Sequence, residues 1–143
     1  MFNRVHFSSI KMDWPTPQKI YDQLDGEFHF DLDACANKDN AKCPHFISPE
    51  QDALAIEWPG TSIFCNPPYG RMNGGILRWV RKAYEESQKG KIIVMFIPAR
   101  TDTRYFHQYC TKGQIRFLDH RVKFDGKNNA PFPSMIVIFG GST

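Results

Sequence analysis

Two consecutive prolines interrupt the chain directly after a short apolar run. Pro67 and Pro68 follow Asn66 and the run Ser62-Ile63-Phe64-Cys65, and Tyr69 comes next. Each proline fixes its own φ and lacks a backbone N–H, so this segment forms a stiff turn whose carbonyl groups face outward. The pattern predicts a strand that ends at the turn, and the carboxyl ends of strands are where parallel α/β sheets bind their ligands.

The side chains of this turn suit a planar guest that carries an amino group. The Asn66 amide oxygen and the Pro67 carbonyl can accept both hydrogens of an exocyclic NH2 group, while the Tyr69 ring stacks on the heterocycle. With both N–H bonds directed at acceptors, the nitrogen lone pair is drawn away from the ring and becomes a better nucleophile. The alternative is a proline-rich turn with a purely structural role.

The composition is that of one globular domain. Of the 143 residues, 41% are apolar and 23% are charged, which excludes a disordered chain. No apolar run approaches the roughly 20 residues that cross a bilayer, and the first residues lack the apolar region of a signal peptide. We therefore expect a single domain over 1–143, with 1–12 as a candidate flexible segment, no membrane partner and a cytoplasmic location.

The four cysteines are expected to be reduced thiols. Cys35, Cys43, Cys65 and Cys110 are unevenly spaced and form no C-x-x-C pair, so they do not predict a disulfide framework. Cys43-Pro44-His45 could suggest a metal, but no second ligand pair has the spacing of a zinc site. The sequence therefore predicts no metal ion.

Charge is divided unevenly along the chain. Residues 1–70 carry 5 Lys and Arg against 10 Asp and Glu, a balance of −5, whereas residues 71–143 carry 13 against 5, a balance of +8. Basic residues in loops are typical of surfaces that contact phosphate groups. A solvated helix face explains part of this excess, chiefly at Arg78, Arg81 and Lys82. The loops still favour a nucleic acid as the partner of the second half.

Helical and strand patterns alternate and predict an α/β fold. The predicted elements are a helix from Pro17 to Leu24 capped by Thr16, a strand over 27–35, a turn of helix after Ser48-Pro49, a strand over 63–65, a helix over 75–88, a strand over 91–98, a helix capped by Thr101 or Asp102 that ends at Tyr109, and strands over 115–124 and 135–139. The 91–98 run is apolar on both faces, as a central parallel strand is. The short link between the last two strands predicts an antiparallel pair.

Seven segments carry a resemblance that covers residues 13 to 139. They are Asp13-Trp14-Pro15-Thr16-Pro17, Asp31-Leu32-Asp33-Ala34-Cys35-Ala36, Asn40-Ala41-Lys42-Cys43, Asp52-Ala53-Leu54 with Trp58, Asn66-Pro67-Pro68-Tyr69, Ile97-Pro98-Ala99-Arg100-Thr101-Asp102-Thr103 and Pro131-Phe132-Pro133-Ser134-Met135. In this order they resemble the phage-type DNA N6-adenine methyltransferases, the Dam-like family of phages and prophages. The resemblance implies a Rossmann-like S-adenosylmethionine-dependent methyltransferase fold, with an abbreviated, mostly parallel sheet flanked by helices and an antiparallel C-terminal strand pair.

The implied reaction is transfer of a methyl group from S-adenosylmethionine to N6 of an adenine flipped out of double-stranded DNA. The resemblance assigns the catalytic turn to Asn66, Pro67, Pro68 and Tyr69. It assigns cofactor binding to Thr16, Pro17, Asp31, Asp33, Ala34, Cys35, Asp52 and Asn66.

The acidic residues receive separate roles in this resemblance. Asp31 or Asp33 would pair with the ammonium group of the cofactor, and Asp52 would contact its adenine amino group. The chain departs from the usual pattern after Asp33, because the small residues Ala34 and Cys35 stand where methyltransferases usually carry a Gly-rich loop.

Target recognition falls to short loops, because no separate target-recognition domain fits in the chain. These loops span 70–75, 100–104 and 119–131. The candidate DNA-binding residues are Arg71, Asn73, Arg100, Arg104, Arg121 and Lys123. Arg71 or Asn73 is the expected base reader, since the flipped adenine leaves its gap beside that loop. The expected protein is a monomer or homodimer, encoded by a phage or prophage and located in the bacterial host cytoplasm.

Two alternatives remain open from the sequence. Asn-Pro-Pro-Tyr also occurs in methyltransferases that act on RNA or on protein amides, which present a similar planar NH2 group. A phage protein that keeps the fold and binds DNA without modifying it is the alternative from another class.

Overall fold

A five-stranded mixed sheet organises the chain, which we describe from a computed structural model over residues 14–70 and 75–141. The strands, in chain order, are β1 (Leu32–Asp33), β2 (Ser62–Cys65), β3 (Ile92–Pro98), β4 (Gln114–Phe117) and β5 (Ser134–Phe139). Their order across the sheet is β1-β2-β3-β5-β4. β1, β2 and β3 run parallel, whereas β5 is antiparallel to both β3 and β4. The α/β class and the antiparallel C-terminal pair are confirmed.

Three α-helices lie within the described residues: α1 (Gln18–Phe28), α2 (Gly75–Ser87) and α3 (Arg104–Gln108). Short 3-10 helices cover Pro49–Gln51 and Cys110–Lys112. The predictions for β2, β3, α2 and the turn of helix after Ser48 are confirmed to within one residue or so of the observed ends. Asp13, Arg71, Asn73 and the segment 1–12 lie outside the described residues.

The first helix is longer than predicted and the first strand is shorter. Pro17, not Thr16, is the N-cap of α1, and the helix continues through Gly26 to Phe28. Gly26 does not end it because an exposed glycine costs a helix only about 1 kcal/mol. His29, in the left-handed conformation with φ 54°, ends α1 instead. The predicted strand over 27–35 is therefore wrong except for the two residues of β1.

Two other boundaries also differ from the prediction. The N-cap of α3 is Thr103 rather than Thr101 or Asp102, and its hydroxyl accepts a hydrogen bond from Phe106 N at 3.4 Å. β4 ends at Phe117, not at residue 124, because the chain turns away from β5 into a loop over 118–133.

The core lies on both faces of the sheet, and β3 separates its two halves. Ile93 and Met95 pack on the face covered by α2, while Val94 and Phe96 pack on the face covered by α1. All four are fully buried, and each contributes roughly 1.5–3 kcal/mol when it leaves water. This two-sided burial confirms β3 as the central strand.

The carboxyl ends of β1, β2 and β3 meet at one edge of the sheet, together with the start of β5. Pro98 lies opposite Ser134, and Ala99 N donates to Pro133 O at 2.8 Å. All four cysteines are free thiols, as predicted. No helix within the described ranges is long and apolar enough to cross a bilayer.

Candidate active site at the carboxyl edge of the sheet

The Asn66 amide is oriented by two hydrogen bonds where the chain leaves β2. Its Nδ2 donates to Trp14 O at 2.6 Å and to Thr16 Oγ1 at 2.9 Å, so both amide hydrogens are used. Over residues 14–70 and 75–141, the Oδ1 atom is buried and has no hydrogen-bond partner. A buried acceptor left unpaired costs about 1–3 kcal/mol. The geometry therefore fixes an amide oxygen that a donor on a ligand would satisfy.

Tyr69 is held at both ends of its side chain. Its hydroxyl donates to Phe96 O at 2.9 Å, and its ring meets the ring of Phe132 edge-on, with centroids 5.6 Å apart. Burial raises the pKa of the phenol well above its ordinary value, so it stays a neutral donor. Between these anchors, Pro67 is buried and Pro68 is exposed. The turn is thus rigid from Asn66 to Tyr69.

Aromatic side chains surround the turn, and the sequence assigned no role to most of them. The Trp14 ring lies 5.1 Å from those of both Phe124 and Phe132, in edge-on contacts. Trp14 and Phe132 belong to two of the segments that carried the resemblance, which was the available signal. Phe124 lies in the 118–133 loop, where the sequence indicated a strand instead.

A mostly apolar cavity, here the Trp79 cavity, opens on one side of this edge with a volume of about 300 Å³. It is lined by Ala34, Cys35, Ala36, Ile47, Ser48, Pro49, Asp52, Ala53, Leu54, Pro68, Gly70, Gly75 and Trp79. The small residues after β1 are fixed by the backbone, since Ala34 N donates to Phe64 O and Ala36 N donates to Ile47 O, at 2.9 and 3.1 Å. Asp52, in the left-handed conformation with φ 55°, adds an exposed carboxylate.

A polar cavity, here the Asp33 cavity, lies next to it with a volume of about 380 Å³. It is lined by Pro15, Thr16, Gln18, Asp33, Cys35, Asp39, Asn40, Ala41, Lys42, Phe64 and Asn66. Cys35 lines both cavities, so the two adjoin there. Volumes of this size are typical of small-molecule sites.

Asp33 is the buried acid of the site. Its side chain accepts hydrogen bonds from Cys35 N at 3.2 Å and Lys42 N at 3.1 Å, and the residue is 3% exposed. Burial raises the pKa of the carboxyl to about 6, although the backbone hydrogen bonds and the Lys42 charge lower it. A cation in the cavity would favour the charged form.

The structure does not bring Asp31 and Pro17 to these cavities. Asp31 precedes β1, at the opposite end of that strand, where its carboxylate accepts hydrogen bonds from Thr61 N and Oγ1 and from Ser62 N. Burial raises the pKa of Asp31, but these hydrogen bonds outweigh it and hold the pKa below its ordinary value. Pro17 caps α1 and lines neither cavity. Of the two acids after Phe30, only Asp33 reaches the site.

The described basic candidates all lie on the surface. The Arg100 guanidinium lies over the Phe132 ring at 5.6 Å, which places it at the site edge. Arg121 Nη1 donates to Ala130 O at 3.1 Å and so ties the 118–133 loop together. Arg104 and Lys123 are exposed. Among the described residues, no three His, Cys, Asp or Glu side chains are grouped as metal ligands would be.

Comparisons with known proteins show what the chain is similar to. The family described as "DNA N-6-adenine-methyltransferase (Dam)" matches residues 6–141. A protein named DNA N-6-adenine-methyltransferase from Haemophilus phage HP1 (strain HP1c1) is 29% identical over 137 residues, which cover 88% of this chain and 77% of that protein. A protein of the same name from Escherichia phage T1 is 34% identical over 95 residues, which cover 65% of this chain and 38% of that protein.

The resemblance that the seven segments carried is therefore confirmed, and with it the prediction of a methyltransferase enzyme. The match begins at residue 6 and ends at residue 141, so it includes the whole site. The chain belongs to the family of DNA N-6-adenine-methyltransferases (Dam).

Proposed function

We propose that the protein transfers a methyl group from S-adenosylmethionine to N6 of an adenine flipped out of double-stranded DNA. The observation that supports it is the buried Asn66 Oδ1, which has no hydrogen-bond partner among the described residues. The Nδ2 of the same amide donates two hydrogen bonds. An adenine N6 group offers two donor hydrogens, one for this oxygen and one for the Pro67 carbonyl. N6 is inaccessible inside a duplex, so the base must leave the stack.

The chain's own contribution is positioning and electrostatic stabilisation. When bound, S-adenosylmethionine supplies an electrophilic sulfonium methyl group. Asn66 accepts an N6 hydrogen and orients the nitrogen lone pair, and the effect grows as positive charge develops on N6. Tyr69, fixed by Phe96 and Phe132, holds the base by stacking. We assign no general base, since the protonated N6 is acidic enough to release its proton to water.

The two cavities suit the two ends of this cofactor. The Asp33 cavity offers a buried carboxylate for an ammonium group, with Thr16 and Asn66 beside it. The Trp79 cavity is mostly apolar and suits an adenine ring, with Asp52 as an acceptor for its amino group. Ala34 and Cys35 would lie against the middle of the cofactor, where the two cavities adjoin. In this proposal the ammonium partner is Asp33 rather than Asp31.

We further propose that the sheet is an abbreviated Rossmann-like methyltransferase fold in a single domain. Its ligand site lies at the carboxyl edge of parallel strands, as in other open α/β sheets. Duplex DNA would cross this edge, with Arg71 or Asn73 reading a base and the phosphate contacts made by Arg100, Arg104, Arg121 and Lys123. The working protein would be a monomer or homodimer in the cytoplasm of a bacterial host, where its DNA substrate lies.

One experiment tests the reaction directly. Purified protein is incubated with labelled S-adenosylmethionine and unmethylated duplex DNA, and sequencing then maps the modified adenines. Label in N6-methyladenine at a defined sequence is the expected result. Cofactor and DNA binding without label would point to a non-catalytic DNA-binding protein, and label transferred only to RNA or protein would identify a different substrate.

A further inference from the structure

One carboxylate, that of Glu86, forms ion pairs with three lysines. Glu86, in the last turn of α2, is fully buried. Its Oε1 and Oε2 lie 2.6 Å from Lys91 Nζ, 2.9 Å from Lys82 Nζ and 3.0 Å from Lys89 Nζ. These pairs outweigh the burial that would raise the pKa of Glu86 and hold it at about 2. The carboxylate is therefore charged throughout the physiological range.

Helix stability does not explain this acid. A negative charge in the last turn of a helix is opposed by the helix dipole, which favours cations there. Buried ion pairs also seldom add net stability over an apolar replacement. The cluster must therefore be judged by what it holds in place.

Glu86 and Lys91 hydrogen-bond the backbone N–H and C=O groups of Trp58. Trp58 N donates to Glu86 Oε1 at 3.2 Å, and Lys91 Nζ donates to Trp58 O. The Trp58 indole is fully buried, and its Nε1 donates to Ala53 O at 2.8 Å. This bond links the fixed Trp58 to Ala53. Ala53 lies between Asp52 and Leu54, and all three line the Trp79 cavity. A continuous chain of hydrogen bonds thus runs from α2 to the cavity wall.

This wall has little other support from regular structure. The chain between the 3-10 helix Pro49–Gln51 and β2 contains no strand or helix. Its internal backbone bonds are Ala55 N to Asp52 O at 2.9 Å and Gly60 N to Trp58 O at 3.0 Å. Asp52 N donates to Pro49 O at 3.1 Å, so the 3-10 helix supports the start of the wall. Ala53 is tied to α2 through the Trp58 indole.

We propose that Glu86 is a positioning residue for the cofactor, acting through Trp58 to hold the 52–54 wall of the Trp79 cavity. The inference rests on the proposed function, since it takes this cavity as the adenosine site. Glu86 itself touches neither cavity, so its effect is on cofactor affinity and not on the methyl transfer step.

The first test uses Trp58→Phe, which keeps an aromatic ring and removes the donor to Ala53 O. Amide hydrogen exchange of the unliganded protein should speed up at residues 52–55, while the β3 amides, which report global stability, serve as the internal control. The dissociation constant for S-adenosylhomocysteine, measured by calorimetry, should rise about threefold to tenfold for one lost hydrogen bond. Equal exchange and equal affinity in variant and parent would overturn the proposal.

The second test compares Glu86→Gln with Glu85→Gln, which removes an exposed partner of Arg81 on the same helix. Glu86→Gln should raise the KM for S-adenosylmethionine and leave kcat and the KM for DNA close to those of the parent. Glu85→Gln should change none of these. A lower kcat in Glu86→Gln, with both KM values unchanged, would instead indicate a loss of folded protein and would overturn the positioning role.

The failure of the proposed function gives a different pattern. If the parent protein binds no S-adenosylhomocysteine, the cofactor assignment is wrong. The exchange measurement on Trp58→Phe still decides whether Trp58 holds the 52–54 wall, because it needs no ligand.

Discussion

At the scale of single residues, Asn66 shows how neighbours determine what a side chain can do. An amide has two donors and one acceptor oxygen, and here Trp14 O and Thr16 Oγ1 take the donors. Only the oxygen remains for a ligand, so the orientation of the amide follows from the segment before α1. The sequence identified Asn66 but could not show this coupling, because the contact with Trp14 joins residues that are 52 apart in the chain.

Asn66→Ala should lower turnover by on the order of 10²-fold or more, because the lost acceptor acts on N6 as charge develops. Thr16→Val, which removes one of the two acceptors that orient the amide, should give a smaller loss. Single-turnover methylation of duplex DNA measures both. The control is Ser134→Ala, which removes the other buried, unpartnered side-chain atom found in the described residues. Unchanged turnover in Asn66→Ala would remove Asn66 from catalysis.

Asp33 should make stability depend on pH in an unusual direction for an acid. Its folded pKa of about 6 lies above the ordinary 3.8, so the folded chain binds this proton more tightly than the unfolded chain does. The resulting stability is complete below pH 3.8 and is lost as the pH rises through about 6. Asn at this position cannot titrate. Relative to Asp33→Asn, the parent should therefore lose on the order of 2 kcal/mol between pH 4 and pH 7.

Urea unfolding of parent and Asp33→Asn across this pH range measures the difference. Calorimetry with S-adenosylhomocysteine gives an independent check, because an ammonium group stabilises the charged carboxylate. Cofactor affinity of the parent should rise as the pH passes 6, and that of Asp33→Asn should stay low and nearly constant. Parallel pH profiles for the two proteins would contradict the assignment.

At the scale of elements, predictability followed hydrophobic periodicity. α2 was identified because Ile76, Val80 and Ala83 recur at helical spacing, and β3 because its run is apolar throughout. The bounds of β1 were not predicted, because its pairing is nonlocal. Asp33 N donates to His45 O and Ile47 N donates to Asp33 O, which bonds β1 to an irregular segment that no local pattern reveals.

Two residues of the 118–133 loop allow the effects of charge and of loop conformation on DNA binding to be tested separately. Lys123 is exposed, so Lys123→Ala should flatten the log–log salt slope of DNA binding by about 0.9 and change little else. Arg121→Lys keeps the charge but cannot reproduce the planar donor geometry at Ala130 O. It should lower DNA affinity without changing the slope. Fluorescence anisotropy at several salt concentrations distinguishes the two variants. If both bind DNA with the affinity and salt slope of the parent, the loop does not contact DNA.

At the scale of the whole molecule, the division of charge along the sequence can be compared with where the charged candidates lie. Acidic residues before residue 70 supply the buried carboxylate of the Asp33 cavity, and the basic candidates after it lie exposed at Arg100, Arg104, Arg121 and Lys123. The charge imbalance itself could be counted from the sequence, because charge counts need no fold. The sequence could not show the path from Glu86 to Ala53, which exists only once α2 and the loop before β2 pack together.

DNA binding by the exposed basic residues and cofactor binding at Asp33 should respond differently to salt. Exposed charges that meet phosphates are screened and release counterions, so four or five such contacts predict a loss of DNA affinity of about 10²- to 10³-fold between 50 and 200 mM salt. A buried pair is screened far less, and Asp33 is 3% exposed. Affinity for S-adenosylhomocysteine should consequently change less than about twofold over the same range. Cofactor affinity that falls as steeply as DNA affinity would place the cofactor's cationic end on the surface, away from Asp33.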